Sequence, residues 1–139
     1  MKNAPFFIDT AYVHALISPN DQWHKKAVEW RLKIESEKSA LITTEFILAE
    51  IADGLAAINY RRAASQAIRI LQTNAFVKII PASSEFFTKA LNLYEQRQDK
   101  SWGLTDCASF VVMTENDLTN ALTTDEHFRQ AGFKALLLD

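Results

Sequence analysis

The chain has 139 residues, a length that fits one domain, 1–139, with a sizeable hydrophobic core. Hydrophobic residues make up 48% and charged residues 23%, which is typical of a globular protein and excludes a disordered or fibrous one. A net charge of −2 argues against a surface that coats DNA non-specifically, and a single cysteine excludes an internal disulfide.

The beginning of the chain has no pattern typical of export or membrane insertion. Residues 1–5 lead into a run of only three apolar residues, Phe6, Phe7 and Ile8, before Asp9, and this run is too short for a signal-peptide core or a membrane span. We therefore expect a cytoplasmic protein. Cys107 lies in an apolar helical stretch, which indicates a small core residue in a reducing compartment.

Short apolar runs predict strands, and stretches with helical spacing predict helices between them. The runs are continuous rather than alternating, as in strands buried on both faces of a parallel sheet. The predicted strands are 6–8, 40–43, 76–80, 121–124 and 133–138. The predicted helices cover 11–17, 23–34, 45 to about 58, a segment after residue 62 that runs through 68, 71 and 75, then 83–94, 105–113 and 126–131, the last ended by Gly132. This alternation predicts an α/β fold with a parallel sheet and helices on both faces.

Two acids directly follow predicted strands. Asp9 comes after the first strand and Asp125 after the fourth. The carboxyl ends of parallel strands lie at one edge of the sheet, where ligands bind in open α/β folds. We therefore expect Asp9 and Asp125 to share that edge.

A third acid, Asp106, opens the apolar helix that contains Cys107. Thr105 is the predicted N-cap, which places Asp106 in the first turn, where the helix dipole favours negative charge. Taken alone, this pattern favours an ordinary helix-start acid. The first turn of a helix that follows a crossover also lies at the carboxyl edge, so Asp106 is expected near Asp9 and Asp125 as well.

A fourth acid, Glu50, lies about two turns into the helix predicted from residue 45. The other residues of this helix are so largely apolar that almost no polar face remains, and Glu50 is expected among apolar neighbours. A buried carboxylate must be paired, protonated or bound to a cation. Glu45, in the first turn of the same helix, is the solvated alternative. Whether Glu50 reaches the edge depends on how its helix is placed.

Carboxylates gathered in one pocket repel each other and cannot all remain ionised without a cation. Mg²⁺ and Mn²⁺ prefer oxygen ligands, and such ions activate water and stabilise the departing oxygen when a phosphodiester is hydrolysed. This chemistry requires no Ser, Cys or His nucleophile, and none is placed for it. Thr10 and Thr123 are predicted to support the acids by hydrogen bonds, although both are also ordinary β-branched residues.

Other polar residues carry weaker predictions. His14 and His24 each lack a second His or Cys at ligand spacing, so neither is expected to bind a metal. Arg61 and Arg62, followed by Arg69, are candidates for phosphate contacts, although a solvated helix face also explains them. Setting aside four of the 17 acids leaves 13 against 15 basic residues, which is compatible with a basic rim around an acidic pocket.

The four acid-bearing segments, in this order and spacing, resemble the PIN domain family, and within it the VapC-type ribonuclease toxins of prokaryotic toxin–antitoxin pairs. The first segment is Phe-Phe-Ile-Asp-Thr at 6–10, and the second is 44–50. The third, 102–110, reads Trp-Gly-Leu-Thr-Asp-Cys-Ala-Ser-Phe, and the fourth, 122–128, contains Thr-Thr-Asp. The resemblance spans nearly the whole chain.

The resemblance implies a three-layer α/β/α sandwich with a mainly parallel central sheet. It implies that Asp9, Glu50, Asp106 and Asp125 form a catalytic quartet that holds Mg²⁺ or Mn²⁺ and cleaves RNA endonucleolytically. A homodimer and a cognate antitoxin protein that blocks the active-site groove are also implied. Gly103 stands where many members have Ser, so a hydroxyl near the third acid is absent.

Two other interpretations are compatible with an α/β fold. One is a regulatory or scaffolding domain that retains the fold and acts by binding protein or RNA, against which the intact acids argue. The other is a receiver-like or phosphatase-like α/β domain that is phosphorylated on an Asp. That class requires an acid at the end of a middle strand, and the strand at 76–80 ends at Pro81 without one.

Overall fold

The computed structural model describes residues 4–139, which form five strands and seven helices. The strands are β1 (Phe6–Ile8), β2 (Leu41–Thr44), β3 (Val77–Ile80), β4 (Asn120–Leu122) and β5 (Lys134–Ala135). The helices are α1 (Thr10–Ile17), α2 (His24–Glu37), α3 (Glu45–Gly54), α4 (Ile58–Thr73), α5 (Ser84–Gln96), α6 (Leu104–Glu115) and α7 (Glu126–Gln130).

All strand pairs in the sheet are parallel, in the order β3-β2-β1-β4-β5. Phe7 in β1 lies opposite Ile42 in β2 and Ala121 in β4. The chain runs outward from β1 to β3 and then returns to place β4 on the other side of β1. This reversal between β1 and β4 is the position where open α/β sheets form a crevice at their carboxyl edge. The predicted α/β/α sandwich with a parallel sheet is confirmed.

Aromatic packing joins the central strand β1 to the helices α6 and α7. The side chains of Phe7 and Phe128 are fully buried, with ring centroids 6.1 Å apart. Phe128 in α7 also meets Phe110 in α6 edge to face at 5.0 Å. Such pairs combine apolar burial with favourable ring electrostatics. They position α6 and α7 relative to β1.

The helix α6 is central, as its composition predicts. Six of its residues are buried, namely Cys107, Ala108, Ser109, Phe110, Val112 and Met113. Cys107 is a free thiol with no exposed surface, as expected of a small core residue. Within residues 4–139, no helix combines the length and apolar character needed to cross a membrane.

The predicted boundary between the third and fourth helical segments is wrong. The sequence pattern predicts a helix from 45 to about 58, but α3 ends at Gly54 and α4 already begins at Ile58. Glycine is a poor helix former, so Gly54 is the sequence signal for the earlier end. A Cβ at Gly54 would lie 2.3 Å from the His14 ring, so this position also allows α1 and α3 to approach closely.

The last strand is shorter than predicted. The apolar run predicts a strand over 133–138, but only Lys134 and Ala135 form a regular ladder. The neighbouring strand β4 has only three residues, so it offers few residues with which β5 can pair. Leu136 and Leu137 still donate backbone hydrogen bonds to Ala121 and Thr123, which keeps the chain along the sheet edge without strand geometry.

Candidate metal centre

The ends of β1 and β4 are joined by a buried threonine. The Thr123 hydroxyl donates a 2.6 Å hydrogen bond to Asp9 Oδ2 and accepts one of 2.9 Å from the Asp125 backbone N–H. Thr123 is fully buried, and only 7% of Asp9 is exposed. One hydroxyl therefore connects two of the predicted site acids. Asp125 itself lies beyond the end of β4, where it caps α7.

Asp106 reaches the same edge from the start of α6. The predicted N-cap, Thr105, is wrong, because the cap is Gly103 and Asp106 is the third helical residue. The Asp106 carboxylate accepts a 3.0 Å hydrogen bond from the Gly103 N–H, which is one half of a capping box. This backbone contact holds the carboxylate at the N-terminus of α6, where the helix dipole stabilises its charge.

The environment of Glu50 differs from the prediction. Apolar neighbours were expected around it, but Glu50 is exposed, whereas Ile47, Leu48 and Ile51 of the same helix are buried. Its carboxylate nevertheless accepts a hydrogen bond of 2.5 Å from the Thr10 hydroxyl at the start of α1. Glu50 therefore reaches the residue next to Asp9 from solvent, without being buried.

The packing of α1 against α3 explains how Glu50 arrives there. Thr10 and His14 are four residues apart on α1, as are Glu50 and Gly54 on α3, so each pair shares a helix face. The His14 ring packs against Gly54, and its Nε2 lies 3.3 Å from the Ile51 carbonyl oxygen. This second contact, one turn further along both helices, supports the Thr10–Glu50 contact.

The acids influence each other electrostatically. The pKa of Asp9 is raised to about 7, mainly by burial; the hydrogen bond from Thr123 opposes this rise, and the nearby charges of Glu50 and Asp106 contribute to it. Burial also raises the pKa of Asp106, and the charge of Asp125 adds to that effect. Within residues 4–139, no Lys or Arg forms an ion pair with any of these four acids. The excess negative charge therefore favours a bound cation.

A histidine that was not predicted completes the cluster. His127 Nδ1 lies 3.1 Å from Asp106 Oδ2 and 3.3 Å from Asp125 Oδ1. Among the described residues, Asp106, Asp125 and His127 are the group of three ionisable side chains whose ligand atoms come close enough to hold one metal ion. The available sequence signal is the Asp-x-His spacing at 125–127, which is equally typical of the start of a short helix.

Other polar residues considered from the sequence lie elsewhere. Glu45, the alternative to Glu50, is exposed and accepts a hydrogen bond from the Ala82 N–H. His24 Nδ1 lies 2.7 Å from the Ala15 carbonyl oxygen, a local contact between α1 and α2.

The arginines of α4 line an open pocket of about 630 Å³ between α3 and α4. Arg61, Arg62 and Arg69 contribute its basic side, and Ala52 and Leu55 also line it from the side of α3. Arg61 and Arg62 are exposed. Their guanidinium groups are therefore available to solvent on the helix pair that also carries Glu50.

The donor set fits a hard divalent cation. It offers carboxylate oxygens from several chain segments, the ligands that Mg²⁺ and Mn²⁺ prefer. Asp106 and Asp125 each have one oxygen oriented by a backbone N–H, of Gly103 and His127 respectively. A preoriented carboxylate loses less conformational entropy when it binds an ion.

Comparisons with known proteins identify the fold and the family. The structure is similar to that of VapC20 from Mycobacterium tuberculosis, a Sarcin-Ricin loop cleaving toxin, with a TM-score of 0.79 and 23% identity over 94% of this chain and 97% of that chain. It is also similar to FitAcB from Neisseria gonorrhoeae, with a TM-score of 0.62 and 16% identity over 94% of this chain and 97% of that one. The comparison with curated proteins gave no match. The PIN domain model matches residues 6–134, so the chain belongs to the PIN domain family.

Proposed function

We propose that this protein is a metal-dependent endoribonuclease that hydrolyses RNA phosphodiester bonds, and that it is the toxin of a type II toxin–antitoxin pair. The observation that carries the proposal is the geometry at the carboxyl edge of the sheet, where Asp106 and Asp125 lie within metal-ligand distance of each other and Thr123 links Asp9 to the Asp125 backbone. Membership of the PIN domain family and the similarity to a VapC structure support it.

In this proposal the carboxylates of Asp9, Asp106 and Asp125 hold Mg²⁺ or Mn²⁺, and Glu50 assists from the solvent side. A bound ion of this kind supplies positive charge for the phosphate and lowers the pKa of a coordinated water. Thr123 and Thr10 are supporting residues, because their hydroxyls orient the Asp9 and Glu50 carboxylates. Asp9 must lose its proton to act as a ligand, which the cation itself promotes.

The test is cleavage of a structured RNA in the presence of Mg²⁺ or Mn²⁺. An RNA hairpin with the sarcin–ricin loop fold is the first substrate to try, because the similar M. tuberculosis toxin cleaves that loop. Asp9→Asn and Asp106→Asn should each reduce the cleavage rate by roughly 100-fold or more, since they remove a ligand charge while preserving side-chain size.

Asp117→Asn is the matched control, because Asp117 lies beyond the opposite end of α6, away from the site acids. It should cleave RNA at the wild-type rate. Equal activity of the wild type, Asp9→Asn and Asp106→Asn would overturn the assignment. So would a calorimetric titration without divalent-ion binding, which would instead favour a PIN domain that acts by binding alone.

The pocket between α3 and α4 is the proposed path for the RNA backbone. Arg61 and Arg62 are the residues proposed to pair with phosphates, because both are exposed and line this pocket. Replacing both with Gln should weaken RNA binding and make it less sensitive to salt, with a logarithmic slope that is shallower by roughly 0.7 for each phosphate no longer neutralised. An unchanged salt dependence would exclude these two residues from the RNA path.

The proposed partners are a second copy of the chain and a cognate antitoxin protein. A stripe on α5 supports the homodimer, since Phe87, Leu91 and Tyr94 are 43%, 37% and 46% exposed at helical spacing. Analytical ultracentrifugation tests whether the wild type is a homodimer and whether Leu91→Glu, which places a charge in the stripe, disrupts it. Co-expression with the protein encoded by the neighbouring reading frame, followed by co-purification, tests whether that protein binds as the antitoxin.

A further inference from the structure

The cluster at the start of α6 and α7 contains one nitrogen donor among oxygen donors. His127 Nδ1 faces Asp106 Oδ2 at 3.1 Å and Asp125 Oδ1 at 3.3 Å. The three ligand atoms all lie within 4.8 Å of one another. An imidazole is therefore positioned where the proposed function places a metal ion.

The backbone around His127 is well supported. Its N–H donates a 2.9 Å hydrogen bond to Asp125 Oδ1, so the two residues form a local turn at the start of α7. The next residue, Phe128, is fully buried and packs against Phe7 and Phe110. This anchor holds the His127 Cα in place, although the ring itself is only partly buried.

The spacing of the donors matches neighbouring positions on one ion. Metal–oxygen bonds of about 2.1 Å place adjacent ligands of an octahedral ion roughly 3 Å apart. The two observed separations of 3.1 and 3.3 Å fall close to that value. The Nδ1 atom makes a hydrogen-bond contact with Asp106 Oδ2 and also lies 3.3 Å from Asp125 Oδ1, so one ring nitrogen faces both carboxylates.

We propose that His127 Nδ1 is a metal ligand, and that it makes this site prefer Mn²⁺ to Mg²⁺. The proposal rests on the metal-dependent nuclease proposed above and names its ion. Imidazole suits first-row transition metals, whereas Mg²⁺ favours carboxylates, carbonyls and water. A site with carboxylates alone lacks this source of discrimination.

Pulsed electron paramagnetic resonance of bound Mn²⁺ tests the ligand directly, because a coordinated ring nitrogen modulates the spin echo. The chain has three histidines, so labelling them with ¹⁵N changes the modulation if any of them is a ligand. We expect nitrogen modulation in the wild type, its loss in His127→Gln and its retention in His24→Gln. His24 is the matched control, since its Nδ1 contacts the Ala15 carbonyl oxygen.

Calorimetry provides the second measurement. His127→Gln should weaken Mn²⁺ binding by roughly 10- to 100-fold and Mg²⁺ binding by much less. Mn²⁺ bound by the wild type without nitrogen modulation would overturn the proposal, as would equal losses for both ions. These outcomes leave the nuclease intact if RNA cleavage still requires Asp106. A wild type that binds neither ion would overturn both proposals.

Discussion

Asp9 and Glu50 are held by similar contacts in opposite surroundings. Each carboxylate accepts one short hydrogen bond from a threonine, Asp9 from Thr123 and Glu50 from Thr10. Asp9 is almost completely buried between strand ends, whereas Glu50 is exposed on a helix. Asp9 therefore has a fixed position, but its negative charge is unfavourable because it is buried. The charge of Glu50 is solvated, but the position of Glu50 depends on how α1 and α3 pack.

The largest expected effect concerns the charge of Asp9. The ordinary pKa of an Asp side chain is 3.8 and that of Asp9 in the folded chain is about 7, so between these values the native state keeps a proton that the unfolded state has released. Metal-free protein should therefore be most stable near the acidic end of this window and lose up to roughly 4 kcal/mol as the pH rises through 7. Asp9→Asn removes this loss because its side chain cannot ionise.

Urea unfolding in the presence of a chelator, at about pH 5 and about pH 8, measures this effect. The wild type should be less stable at the higher pH, and Asp9→Asn should show a smaller change. Excess Mn²⁺ should restore wild-type stability at the higher pH, because ligand binding favours the folded state. If the stability of Asp9→Asn depends on pH in the same way as that of the wild type, the ionisation of Asp9 is not the cause of the pH dependence.

An intermediate effect is expected when Thr123 is replaced by Val. The change removes the hydrogen bond to Asp9 and leaves the Asp125 N–H without its partner, which should cost about 2 kcal/mol. RNA cleavage should fall by roughly 10-fold, because two proposed ligands lose their orientation.

Thr43→Val is the matched control for that experiment. Thr43 is also fully buried and lies near the carboxyl end of β2, but its hydroxyl donates to the Ile8 carbonyl oxygen rather than to an acid. It should lose comparable stability and retain cleavage per folded molecule. Equal losses of activity in both variants would mean that Thr123 matters only for folding.

The smallest effect on cleavage is expected on the side of Glu50, because a substitution there acts on the acid only through helix packing. Gly54→Ala places a methyl group 2.3 Å from the His14 ring, so either the ring or α3 must move. Overpacking of this kind typically costs about 1–3 kcal/mol, and cleavage should decrease as Glu50 shifts relative to Thr10.

His14→Ala is the partner substitution, because it opens space for the new methyl group. The double variant should recover part of the stability and activity that Gly54→Ala loses, as measured by thermal unfolding and RNA cleavage. If the two losses simply add, the contact between His14 and Gly54 does not position Glu50.

The sequence by itself determined the α/β sandwich and the strand edge that carries Asp9 and Asp125. Continuous apolar runs separated by helical stretches permit few arrangements other than a parallel sheet, and in such a sheet all carboxyl ends lie together. Asp106 was predicted at the same edge for a local reason, its place in the first turn of α6. Local signals were less reliable for helix ends, where Gly103 and not Thr105 is the cap.

Only the tertiary structure decided the exposure of Glu50 and the participation of His127. Helical spacing places a residue on a face of its helix, but the rotation of α3 against α1 depends on the contact between Gly54 and His14, which are distant in the chain. His127 approaches Asp106 because Phe128 packs between α6 and β1, which joins separate segments of the sequence. Contacts of this kind depend on the shapes of several side chains together, and no single stretch of sequence specifies them.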